Sequence, residues 1–161
     1  MKAKEICFEG GIAGASSSYD GIVPALAFLN NGSIWHSGSE ENAASSSLFV
    51  WYEFKLPVKY PIKLSFEPRP VTSQQQTPKQ FQFVGMNDKD CSKTSQWSVI
   101  CDGFYAEEPE TGEIRGCEAQ KEKVMDSLRR HREFRCLGIK ILAVHWGQFA
   151  AMRNVKMWNL Q

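Results

Sequence analysis

No stretch of the 161 residues approaches the length of a helical membrane span. The opening Met1-Lys2-Ala3-Lys4-Glu5 lacks the apolar run of a secretory leader, so two expectations stand: an intracellular protein, or one whose leader was removed earlier. Net charge is nearly absent. Nineteen basic residues against eighteen acidic ones give +1, which leaves no general electrostatic ground for binding nucleic acid. No two of the five cysteines have the CxxC spacing of a zinc ribbon or redox dithiol. Gly-x-Ser-x-Gly, P-loop and His-Glu-x-x-His motifs are missing. The three histidines (36, 131 and 145) are scattered, and Glu40-Glu41 and Glu107-Glu108 sit in polar segments. That placement suits solvated carboxylates and not a tuned acid–base pair, so no enzymatic activity is expected.

Alternation is what the chain does have. In Leu48–Leu56 (LFVWYEFKL), Leu48, Val50, Tyr52, Phe54 and Leu56 fall on one face and Glu53 and Lys55 on the other, the period of a half-buried strand. Pro57 and Pro61 bracket a turn, and Ile62, Leu64 and Phe66 alternate beyond it until Pro68 and Pro70. Phe81 and Phe83 mark a third strand and Trp97–Cys101 a fourth. Residues 134–144 form a longer one, and Ala151–Leu160 a closing one. Residues 118–132 differ: Val124 and Leu128 lie four apart among good helix formers, which fits one short helical or irregular insertion. Many short strands with turn residues between them predict an all-β antiparallel sandwich, with residues 1–161 forming a single domain.

Cys91 and Cys101 flank a polar segment that a disulfide could close in a secreted protein. Cys117 and Cys136 also flank one segment, leaving Cys7 over; the alternative is five reduced thiols packed as small apolar groups.

Several segments, in order, resemble the discoidin family (coagulation-factor V/VIII type C domains), whose fold is a galactose-binding-like jelly roll. They are Ala15-Ser16-Ser17-Ser18-Tyr19, then Ala27-Phe28 with Asn30-Asn31-Gly32 and Trp35-His36-Ser37, then Trp51–Leu56. Phe81–Asp88 with Trp97, Phe134–Val144 and Val155–Trp158 complete the pattern, which spans about residues 7–160. The resemblance implies a non-catalytic binding module whose ligand sits on loops at one end, here near residues 28–47, 67–79 and 145–150. The ligand class it implies is a cell-surface glycan or glycoprotein, as in a secreted lectin or adhesion domain. An intracellular protein-interaction domain and a phospholipid-binding domain on the same fold are the alternatives.

Candidate ligand-binding residues follow. In the fucose-binding branch of the superfamily a loop histidine and a later arginine contact sugar hydroxyls, at positions resembling His36 and Arg69. That branch continues Arg-x-Asp, whereas Arg69-Pro70-Val71 has no carboxylate; the alternative is a structural arginine at a strand end. Asn31 and Glu40 belong to the long polar loop. Trp146 and Phe149, in His145-Trp146-Gly147-Gln148-Phe149, offer a stacking platform, a lipid-inserting spike or core residues. Trp35 offers a stacking face or a core residue. Asn31-Gly32-Ser33 reads as a glycosylation sequon or a tight Asn-Gly turn, and Arg129-Arg130-His131-Arg132 with Arg135 as an anionic-partner site or a solvated charged face. Some sugar-binding members hold calcium with acidic residues in the first loop and the final strand. The matching positions here read Phe28-Leu29-Asn30-Asn31 and Asn154, so no cofactor is expected, with backbone carbonyls the remaining route to calcium.

Overall fold

The computed structural model describes residues 2–19, 21–38, 48–69, 76–88, 90–92, 97–145, 147 and 149–161, with Ser127 by its backbone alone. Among the described residues, ten strands lie in two antiparallel sheets. The first contains β1 (Ala3–Glu5), β3 (Ile34–His36), β5 (Pro61–Glu67), β8 (Arg115–Glu118) and β10 (Ala151–Leu160), in the order β1-β10-β5-β8 with β3 also on β10. The second contains β2 (Ile12–Ala15), β4 (Leu48–Lys59), β6 (Pro78–Met86), β7 (Ser98–Phe104) and β9 (Glu133–Val144), in the order β2-β4-β9-β6-β7. A short 3-10 turn spans Pro24–Phe28, and the expected helical insertion is α1 (Lys121–Arg130).

The expected sandwich and its main strands are present because alternate residues of both sheets meet in one core. Leu48, Val50, Tyr52 and Phe54 of β4 face Leu64 and Phe66 of β5, with Phe81, Phe83, Leu137, Ile139, Met152 and Met157 among them. Phe66 meets Phe81 edge to face at 4.9 Å, and Trp35 is fully buried. Gly103 is required on β7: a Cβ there would collide with the Phe81 ring.

Three details depart from expectation. β4 does not stop at Pro57 but continues to Lys59, and its pairing with β9 shifts register between Glu53 and Val58. Leu56 lies in that irregular stretch and is 76% exposed, while Val58 takes the next core position. The strands β1, β2, β3 and β8 are additional; each has only three or four residues, too few for a periodic pattern.

The disulfide expectation is corrected. Cys101 joins Cys117 and Cys91 joins Cys136, while Cys7 is free and exposed. Cys101 lies on β7 and Cys117 on β8, the edge strands of opposite sheets, so their bond staples one sheet to the other. Cys91 closes the segment after β6 onto β9, where Cys136 is opposite Met86. Sequence neighbours across a loop were a poor guide, because pairing follows strand adjacency.

Candidate functional site

Three consecutive serines set the entrance of the site. Ser16 Oγ accepts the Phe49 N–H at 3.0 Å, Ser17 Oγ accepts the Gly38 N–H at 3.1 Å, and Ser18 Oγ accepts the Trp35 indole N–H at 3.0 Å. Each hydroxyl thus fastens the segment to a different neighbour, and the next residue, Tyr19, donates its N–H to the His36 carbonyl at 2.8 Å. On the other side, the buried Ser37 hydroxyl accepts the Ala150 N–H at 3.0 Å, and its own N–H donates back to Ala150 O at 2.9 Å. That reciprocal pair fixes the chain just after Phe149.

Between these anchors lies a cleft of about 460 Å³. Its polar residues are His36, at the end of β3, Arg69, just after β5, and Gln76, just before β6. Tyr19, Ile22, Ile34 and Phe149 supply the apolar wall. The His36 ring stands edge-on to Tyr19 at 5.4 Å and tilted against Phe149 at 5.7 Å. Its Nδ1 lies 2.6 Å from the Ser37 carbonyl oxygen. A carbonyl only accepts, so Nδ1 carries the hydrogen and Nε2 of the neutral ring is left as an acceptor. Arg69 donates Nη1–H to Gln76 Oε1 at 3.0 Å. Among the described residues no carboxylate lines the cleft or pairs with Arg69.

Size does not distinguish this cleft. A groove of about 640 Å³ at the opposite end is lined by both chain ends and by charges of both signs, including Lys4, Glu5, Glu9, Lys55 and Lys59. Its lining also holds Phe54, Tyr60, Asn159 and Gln161, but these lie on or beside the strands β4 and β10 and not on the loops where the ligand was sought.

Three of the candidate residues, His36, Arg69 and Phe149, therefore meet in one cleft. Glu40 and Trp146 lie outside the described residues. Asn31 is exposed and does not line the cleft; its Oδ1 accepts the Ser33 N–H at 3.0 Å, the Asn-Gly turn, with Gly32 at φ 84°. Trp35 is core, not a stacking face. Arg130 and Arg135 are engaged by Asp126 and Glu53, as in a solvated charged face. Tyr19, Ile22, Ile34 and Gln76 were not singled out from the sequence. The one legible signal was the serine triplet before Tyr19.

Asn30 and Asn154, the positions matched to the calcium-holding residues of some family members, hydrogen-bond within the chain. The Asn30 amide donates to Val155 O at 3.2 Å and to Phe28 O at 3.4 Å. Asn154 accepts the Gly32 N–H at 3.0 Å and donates to Glu67, whose carboxylate also faces Arg153 Nε at 3.7 Å.

A second arginine lies at the same end of the sandwich. Arg115, 1% exposed, donates to Pro78 O, Glu107 O, a Glu113 carboxylate oxygen and His145 Nε2, and lies over the Tyr105 ring at 4.6 Å. The Arg115 Nη1 to His145 Nε2 distance is 2.6 Å, so the imidazole accepts there. Burial, followed by the charges of Arg115 and Lys79, holds the His145 imidazole below its ordinary value, against the opposing pull of Glu108 and Glu107.

No protein-family model matches the sequence, and no curated protein matches it. Solved structures do. The family 32 carbohydrate-binding module of Clostridium perfringens NanJ, solved with galactose, superposes with a TM-score of 0.67 at 12% identity, covering 98% of this chain and 100% of that one. An F5/8 type C domain from Bacteroides fragilis gives 0.70 at 8% identity, covering 99% and 97%. The lectin domain of lectinolysin, solved as a histidine mutant with Lewis b, gives 0.63 at 12% identity, covering 96% and 95%. The fold is of the discoidin type. At such identities the likeness extends to architecture, and the site must be argued from this chain's own residues.

Proposed function

We propose that this chain is a non-catalytic, lectin-like glycan-binding module that works outside the cell. The observation that carries the reading is the convergence of His36, the Arg69–Gln76 pair and Phe149, three segments far apart in sequence, on one cleft. Sugars present hydroxyls around an apolar C–H face. An acceptor nitrogen, a guanidinium and an amide beside an aromatic wall match both surfaces. Galactose and Lewis b in the structural neighbours agree with this class. The two disulfides suit an oxidising compartment. The ring contact of Phe149 with His36 places it in a cleft wall and gives no support to a lipid-inserting spike. Asn30, Asn31 and Asn154 stand where calcium-holding members carry acidic residues, which supports binding without calcium.

A glycan array tests this. The native protein should bind a restricted glycan set, with His36→Ala and Phe149→Ala each weakening it by about tenfold at unchanged circular dichroism. A folded sample that binds no glycan would overturn the reading.

A further inference from the structure

We infer that the cleft selects glycans carrying a carboxylate, such as uronic or sialic acids, over their neutral counterparts. This rests on the glycan-binding reading and adds the charge of the ligand. Arg69 is half-buried at the cleft, and its one partner among the described residues is the neutral amide of Gln76. A guanidinium kept beside a carboxylate presents nearly neutral hydrogen-bonding groups to a sugar. Here the residue two positions on is Val71, and no described cleft residue supplies the missing negative charge. Among the described residues the remaining N–H donors of Arg69 meet no negative charge, and their fork matches a carboxylate in geometry and sign.

The rest of the cleft limits where such a group fits. In the neutral ring His36 Nε2 is an acceptor, because Nδ1–H is spent on the Ser37 carbonyl, and in that form it suits a hydroxyl and not a carboxylate. Phe149, Tyr19, Ile22 and Ile34 accept the C–H face. Carboxylate toward Arg69 and hydroxyl toward His36 is thus the orientation in which both polar groups are satisfied. A neutral sugar meets His36 equally well but leaves the charge of Arg69 unanswered in a partly desolvated wall.

The test uses an array of sialylated, uronic-acid and neutral glycans, each acidic glycan paired with its carboxyl methyl ester. Esterification removes the charge and nearly preserves the shape. The expected result is binding concentrated on the acidic members and weakened about tenfold or more by esterification and by Arg69→Gln. It should also weaken as salt is raised. Equal binding to acid and ester, a preference for neutral glycans, or an acid preference that survives Arg69→Gln would overturn the inference while leaving glycan binding intact. No binding to any member by a folded protein would overturn both.

Discussion

Arg115 and Arg69 occupy the same end of the sandwich and have opposite surroundings. Arg115 is enclosed by two carbonyls, a carboxylate, an imidazole and a tyrosine ring. Its charge is consumed in joining the chain after β7 to β6, β8 and the end of β9. Among the described residues Arg69 meets one neutral amide and lines a cleft. Residue type is identical, so the difference lies in how many fixed acceptors the backbone brings to each guanidinium. A fully answered arginine is structural, and a poorly answered one at a cleft retains interaction energy for a ligand. The sequence left open whether Arg69 is structural; Arg115 is the arginine at this end that is enclosed by fixed acceptors.

The largest expected effect comes from exchanging each arginine for an uncharged chain. Arg115→Met should cost about 3–5 kcal/mol in urea unfolding, because it orphans buried acceptors. Arg69→Met should change stability by less than about 0.5 kcal/mol and act on glycan binding alone. Comparable stability losses for the two would break the distinction. Cys117→Ser comes next. Cys117 lies two residues from Arg115, and its bond to Cys101 closes a separation of 16 residues. Its loss should cost about 3 kcal/mol by the same measurement, with binding at the Arg69 cleft retained once the protein is folded. Ser18→Ala works on the cleft side. It removes the partner of the buried Trp35 indole and frees the segment leading to Tyr19. About 1–2 kcal/mol of stability should be lost, and here binding should weaken as well.

Acid should discriminate between the two arginines most gently. His145 has a lowered folded value, so below the ordinary 6.5 the unfolded chain binds more protons than the folded one. Stability contributed by the neutral His145 is therefore complete above about pH 6.5 and declines as pH falls toward the folded value. His145→Gln keeps an acceptor for Arg115 without that titration. Thermal melts between pH 7 and 5 should show a smaller decline in the variant than in the native protein. An unchanged decline would remove His145 from the account.

Legibility in the sequence followed strand length. The run from Leu48 announces β4 because one face repeats apolar residues over nine positions, and the run from Phe134 announces β9 because it is long and mostly apolar. Arg115-Gly116-Cys117-Glu118 holds one apolar residue and gave no such signal, so Cys117 was assigned the wrong partner. Within the cleft, His36 and Arg69 were legible through their family-like positions, and Phe149 as an aromatic in a Gly-containing loop. Ile22, Ile34 and Gln76 were not, because an aliphatic or amide residue acquires a binding role only from what faces it. Leu56 shows the limit of periodicity itself: the pattern continues across a register shift that turns the residue outward.

By itself the sequence determined the two-sheet architecture, since alternating apolar residues have a stable arrangement only where a second such face covers them. It also determined the absence of strong net charge and the loops on which a ligand would be sought. Tertiary structure decided which cysteines bond, where the core leaves β4, and which arginine remains available. These are properties of groups brought together from distant segments. Hydrogen bonds and charge balance act through space, and the distances that set them exist only after the sheets have packed.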